Sequence, residues 1–187
     1  MRNATETLIK YRSFVGILCL LAVLWLATPN SWSIVGGFFF MMIGMFFRAW
    51  SSGYINKDQE LAIDGPYSLT RNPLYFGNLI IGSGIAVACN NVPSFLIFIV
   101  YYFTFFTFLI VVERKRLRKR FGPQYDEWAK QANLFFPKIK KIRKFNFNIA
   151  YYMKNREYRV LFYSLFVIAV LIIKFLKKIG FIDGIGR

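Results

Sequence analysis

The chain has 187 residues, 56% of them hydrophobic and 20% aromatic, with 25 Lys plus Arg against 9 Asp plus Glu and a formal net charge of +16. That composition, with a mean hydropathy of +0.40, excludes an ordinary soluble domain and fits an integral membrane protein; with no nucleic-acid-binding module visible, anionic lipid headgroups are the more natural partner for the charge than nucleic acid. Histidine is absent, and Cys19 and Cys89 stand in apolar runs without metal-ligand spacing, so neither a histidine base nor a metal site is expected.

Residues 1–10 are polar and mildly basic and lead into an apolar run over 11–28. No small-residue cleavage pattern follows and a second hydrophobic run begins almost at once, so this is read as a first transmembrane helix rather than a signal peptide. Thr28-Pro29-Asn30-Ser31 is a tight turn, and residues 34–50 supply a second span rich in Phe and Met; both approach the ~20 residues a bilayer requires. Arg48 falls in the last turn of that span, where an arginine either serves a function or snorkels to the headgroups. Residues 51–64 are polar and mixed in charge, with Lys57, Asp58, Gln59, Glu60 and Asp64.

Residues 65–78 are rich in turn formers and run into a third span over 74–90, whose Gly77, Gly82 and Gly84 permit close helix approach. Asn90-Asn91-Val92-Pro93 is a second uncharged turn, and residues 94–112 make a fourth span that ends at Glu113. Residues 114–120 hold six basic residues in seven. Glu113, Leu117 and Phe121 share one helical face, so the fourth span is expected to continue as a basic helix until Gly122-Pro123 stops it. A short amphipathic helix with Tyr125, Trp128, Ala129 and Ala132 on one side is expected to lie on the membrane surface, followed by a basic patch at 138–144 suited to lipid. The last apolar run, 160–173, is a possible fifth span or an interfacial helix.

The turns at 29–32 and 90–93 carry no Lys or Arg, whereas residues 114–159 carry fifteen, which puts the latter in the cytoplasm together with the N-terminus and the 65–78 loop. The expected architecture is all-α: a polytopic transmembrane helical bundle of four spans in two hairpins and a possible fifth, with cytoplasmic amphipathic helices. One membrane domain covers 1–187, with 138–159 as a basic surface segment and 160–176 as the possible fifth span.

On the cytoplasmic side the chain presents Gln59, Glu60, Tyr67, Tyr75, backbone groups freed by Pro66 and Pro73, and Glu113. Non-helical backbone at membrane depth survives only where protein, water or ligand satisfies it, so a polar, partly cationic ligand suits this place. An interfacial loop with Tyr and Trp as headgroup anchors is the plainer alternative.

Gly65-Pro66-Tyr67, then Arg71-Asn72-Pro73-Leu74-Tyr75-Phe76-Gly77, then Glu113, then Phe121-Gly122 and Tyr125, in that order, resemble the isoprenylcysteine carboxyl methyltransferase and phospholipid methyltransferase superfamily. The resemblance covers residues 44–137; the family pattern reads Gly-x-Tyr, Arg-His-Pro-x-Tyr-x-Gly, a Glu-Glu pair and Phe-Gly-x-x-Tyr. It implies an S-adenosylmethionine site reached from the cytosol and a lipid or lipidated methyl acceptor that enters from the membrane. It also implies that Gln59, Glu60, Leu61 and Ala62 match the family's cofactor-binding stretch, Tyr67 its cofactor-contacting tyrosine, Asn72, Pro73, Leu74 and Tyr75 the His-Pro-x-Tyr positions, and Glu113 the cofactor-binding glutamate. Lys57 lies near a further contact, and Arg48, Arg71 and Tyr75 are candidates for positioning the acceptor.

Three residues depart from the pattern. Asn72 replaces a histidine and cannot titrate; Arg114 replaces the second glutamate; Leu109 stands where the carboxyl methyltransferases place an arginine for the substrate carboxylate. A sterol-reductase-like enzyme using NADPH is one rival, disfavoured by Leu74 and Asn78 at the positions where its motif has Asn and Glu. A non-catalytic membrane scaffold is the other.

Overall fold

The computed structural model describes residues 2–56, 59–138 and 141–181, with side chains from Lys10 onward; Lys57 and part of the basic patch lie outside the described residues. The helices are α1 (Arg2–Leu26), α2 (Ser31–Ser52), α3 (Pro73–Cys89), α4 (Val92–Phe121), α5 (Pro123–Gln131), α6 (Ile149–Lys154) and α7 (Tyr158–Lys178), with a 3-10 turn at Gly65–Ser68. The only extended pairing among the described residues is an isolated bridge between Thr70 and Asn133. The architecture is all-α.

Among the described residues three helices are long and apolar enough to cross a membrane, α2, α4 and α7, and α3 is a shorter apolar helix. The count differs from the expected four spans in two hairpins and a possible fifth: α7, the possible fifth, has spanning length, α3, the expected third, falls short of it, and α1, with side chains described only from Lys10, is not among the three. Pro73 cannot extend α3 backwards, and Asn90, at φ 54, turns the chain out of the helix. The remaining 17 residues rise roughly 26 Å, short of the ~30 Å hydrocarbon core. The last apolar run, by contrast, grows into a helix of 21 residues, because Tyr158, Arg159 and the stems of Lys174, Lys177 and Lys178 extend its apolar length. α4 runs unbroken for 30 residues and carries its basic end as expected. Gly122, at φ 49, turns the chain so that Pro123 can open α5.

The chain divides into two compact units, the first made of Met1–Met41, Ile81–Leu109 and Tyr163–Arg187. Here the two uncharged turns interlock: Thr28 N donates to Cys89 O at 2.8 Å, Asn90 Nδ2 to Thr28 O at 3.2 Å and Asn91 Nδ2 to Leu26 O at 3.1 Å. Asn30 and Asn91 cap α2 and α4 by accepting from the Ser33 and Ser94 amides, each at 2.8 Å. Lys174 Nζ donates to Leu24 O at 2.9 Å and Trp25 O at 2.5 Å, placing a cation on the last carbonyls of α1. A side chain on Gly37 would meet Gly84 O at 2.5 Å, so the glycine lets α2 and α3 touch backbone to backbone. Trp25 and Trp32, 80% and 84% exposed, stand at helix ends, the positions that aromatic belts favour in membrane proteins.

The second unit comprises Met42–Ile80 and Ile110–Phe162. Its core joins Tyr54, Leu61, Tyr67, Tyr125, Trp128 and Ala132, with Leu117 and Phe121 packed against it. The apolar face of α5 is therefore covered by the protein's own aromatic residues rather than by lipid.

Candidate active site

Residues 65–72 are pinned on two sides within the second unit. Gly65 has φ +55, and any side chain there would run into the Tyr54 ring. Its amide donates to Arg143 O at 2.8 Å, and Ser68 Oγ donates to Gly65 O at 2.7 Å. Trp128 Nε1 donates to Tyr67 O at 3.0 Å, Thr70 Oγ1 to Phe135 O at 2.7 Å, Arg71 N to Asn133 O at 2.8 Å and Lys138 N to Leu69 O at 2.9 Å. Backbone groups in this non-helical stretch are thus satisfied by the segments after α4. Exposed backbone therefore supplies no argument for a ligand; the side chains must carry it.

Tyr67 is buried, and its phenol is pushed well above its ordinary pKa, first by burial and then by the charge of Glu157, with Tyr75 and Glu113 adding to the rise and Arg48 opposing it. Those five residues come from four separated stretches of the chain, and the other four lie within electrostatic reach of Tyr67. The phenol stays neutral at physiological pH.

Arg48 and Glu157 form a bidentate ion pair, with Nη2 2.8 Å from both carboxylate oxygens and Nε 3.0 Å from Oε2. Their side chains are only 15% and 10% exposed, and Arg48 Nη1 donates to Asn78 Oδ1 at 2.5 Å. Each of the three guanidinium nitrogens donates to Glu157 or Asn78. Gly77 makes room for this arginine: a side chain there would meet Arg48 Cγ at 2.7 Å and Gly44 O at 2.9 Å.

Glu113 is partly exposed and has a loose ionic contact, Oε2 to Arg116 Nη1 at 3.9 Å, which leaves its carboxylate able to receive donors. Leu61 is buried, while Ala62, Leu74 and Tyr75 are half-buried. Pro73 is buried at the first position of α3, and Asn72 is buried just before it. Asn72 Nδ2 donates to Leu134 O at 2.8 Å, so this amide latches the segment after α5 to the start of α3. Gln59 and Glu60 are exposed; Gln59 Oε1 accepts from Asn56 at 2.8 Å and Glu60 Oε1 from the Tyr151 hydroxyl at 3.4 Å. Two buried donors, Trp50 Nε1 and Arg71 Nε, have no hydrogen-bond partner among the described residues. The set of an available carboxylate, two tyrosines and apolar Leu61 and Ala62 suits a ligand bearing an ammonium, a sulfonium and hydroxyls.

Sequence reasoning missed Glu157, which lies outside the motif-bearing region. Its signal was its isolation: it is the sole acidic residue between Glu127 and Asp183 in a strongly basic stretch. Arg156 just before it is held at φ 56, a left-handed corner unusual for a side chain of its size.

Apolar helices of spanning length define an integral membrane protein. The family model for phospholipid methyltransferases matches residues 11–124, and the chain belongs to that family. It is 30% identical over 98 residues to the nickel-cobalt-cadmium resistance protein NccN of Alcaligenes xylosoxydans xylosoxydans, covering 51% of this chain and 46% of that protein. It is likewise 30% identical over 98 residues to the cobalt-zinc-cadmium resistance protein CzcN of Cupriavidus metallidurans, covering 51% and 45%. With the protein-S-isoprenylcysteine O-methyltransferase of Schizosaccharomyces pombe it shares 33% identity over 84 residues, 45% of this chain and 36% of that one. The chain thus spans less than half the length of these curated relatives. No solved structure matches it. Although two of the relatives are named for metal resistance, no group of three or more Cys, Asp or Glu able to hold a metal ion occurs among the described residues.

Proposed function

We propose that the chain is an S-adenosylmethionine-dependent methyltransferase that acts on a lipid or lipidated small molecule, with its site open to the cytoplasm. One observation carries the reading. In a chain of the phospholipid methyltransferase family, Tyr67, Tyr75 and Glu113, which the motif comparison assigned to the cofactor from sequence alone, share one electrostatic neighbourhood.

S-adenosylmethionine supplies an electrophilic methyl on a sulfonium. Glu113 receives the ammonium or the ribose hydroxyls, and the tyrosine faces attract the cationic end, each worth about 0.5–2 kcal/mol. Leu61 and Ala62 keep water from the reacting groups. Tyr67 remains a neutral phenol and takes no proton, and histidine is absent. An acceptor that arrives as a carboxylate or thiolate needs no base, so alignment and desolvation are what this chain contributes.

The test is transfer of a labelled methyl group from S-adenosylmethionine into a total lipid extract by the purified protein, with identification of the labelled species. Label in a lipid or lipidated thiol supports the proposal. Saturable NADPH binding without methyl transfer moves the protein to the reductase class, and the absence of both activities leaves a scaffold.

A further inference from the structure

The charges of the basic helix do not all face solvent alike. Arg71, Arg114, Arg118, Asp126, Ala129 and Lys130 line a depression of about 560 Å³ between the start of α3, the end of α4 and α5. Four cations meet one carboxylate there. Asp126 is taken by Arg118, 3.0 Å from its Nε, and Lys130 holds Glu127 outside the depression at 2.8 Å. Arg114 is exposed, and Arg71 keeps a buried Nε with no hydrogen-bond partner among the described residues. Arg71 and Arg114 both line the depression, a planar fork of N–H donors pairs with two oxygens of a phosphate or a carboxylate, and four cations around a single carboxylate already held by Arg118 favour the more highly charged phosphate. The position also gives meaning to a departure from the family pattern: Arg114 stands where the pattern has its second glutamate, and an acid there would cancel one of these two charges.

The geometry points to a phosphate-binding site in this depression, built by Arg71 and Arg114 with Arg118 and Lys130 at its rim, for the phosphomonoester or phosphodiester group of an anionic ligand. The site is separate from Tyr67, Tyr75 and Glu113 in its lining residues and does not rest on the methyl-transfer reading. The phosphate belongs either to a membrane lipid or to a soluble phosphate ester, and the two sources share the same recognition chemistry.

The experiment uses the whole chain. In one arm the protein sits in phosphatidylcholine nanodiscs with a minor fraction of phosphatidic acid or of diacylglycerol, and the retained lipid is counted by native mass spectrometry. In the other, glycerol phosphate is titrated into detergent-solubilised protein. Phosphatidic acid is expected to be retained over diacylglycerol, or glycerol phosphate to bind saturably. Whichever probe binds, Arg114→Gln and Arg71→Gln should each weaken it about tenfold, whereas Lys115→Gln and Lys119→Gln, on the same helix outside the depression, should change it less than about twofold. Arg114→Glu, which restores the family's residue, should abolish binding. Arg114 is exposed, so its variants keep the fold and melting curves verify this. Preference for phosphatidic acid assigns the site to lipid, and saturable glycerol phosphate binding assigns it to a soluble ester. Equal losses in Arg114→Gln and Lys119→Gln, or no binding in either arm, would overturn the site in favour of diffuse attraction.

Discussion

Arg48 and Glu157, 109 positions apart, are joined by a two-pronged ion pair with Nη2 2.8 Å from each carboxylate oxygen. The pair ties the end of α2 to the corner that leads into α7, and both side chains are largely withdrawn from water. Removing one partner strands a charge in a poor solvent, so Glu157→Ala should destabilise the protein by about 3–5 kcal/mol. The double variant Arg48→Met/Glu157→Met leaves no stranded charge and should recover most of that loss. Thermal unfolding in detergent of Arg48→Met, Glu157→Met and the double variant measures the coupling; an unchanged melting temperature in Glu157→Ala would remove the structural role assigned to the pair.

Asn72 acts through its amide N–H on the Leu134 carbonyl. Asn72→Ala leaves that carbonyl unpaired at a cost of about 1–3 kcal/mol. Asn72→Asp should cost more, because a carboxylate faces the same oxygen with no proton to offer. Hydrogen exchange at the Arg71 and Lys138 amides, which close the same strap, should accelerate in both variants and most in Asn72→Asp.

Glu113 contributes little to the fold, since its ionic contact to Arg116 is long at 3.9 Å. Glu113→Ala should therefore shift stability by no more than about 0.5 kcal/mol. The same variant, and Tyr75→Ala, should each weaken S-adenosylmethionine binding at least about tenfold, the loss of one charge-assisted or cation–π contact. Calorimetric titration beside melting curves separates the two effects, and unchanged affinity in both variants would refute the assignment.

The Tyr67 phenol, raised chiefly by burial and then by Glu157, holds its proton in the folded protein at a pH where the unfolded chain, near an ordinary pKa of about 10, releases it. Stability should therefore fall as the pH rises past that unfolded value, because the unfolded state binds fewer protons there. Ultraviolet titration should show at least one phenol that ionises only with alkaline unfolding, and Tyr67→Phe should lower the number of such phenols by one. Were all phenols to titrate reversibly before unfolding, Tyr67 would not be buried as described.

α7 now has the length of a span, and Lys174 near its end binds the last carbonyls of α1. Reporters inserted after Asn133 and after Lys178 should appear on opposite faces of the membrane, the first of them in the cytoplasm. The same face for both would make α7 interfacial.

Much of this molecule was legible in one dimension because its causes are local. Periodicity and the Gly122-Pro123 break determined that α4 runs through Phe121 and that α5 begins at Pro123. The order of Gly-Pro-Tyr, Asn-Pro-Leu-Tyr and Glu113 was enough to indicate the family, since each motif is a short run of neighbouring residues. Span number was less legible: hydropathy registers a run of apolar residues but not the helix ends, and Pro73 and Asn90 cut α3 short while charged stems lengthened α7.

Pairing was decided by the tertiary structure alone. An arginine at the end of a span reads equally as a snorkelling anchor or a substrate ligand until Glu157 is brought to it across 109 positions. Asn72 reads as a failed histidine until Leu134 O is found on its amide. The apolar face of α5 reads as lipid-facing until Tyr54, Leu61 and Tyr67 cover it. In each case composition and spacing determined what the side chain can bind, and only the fold, which closes long loops at the cost of chain entropy, decided which partner it meets.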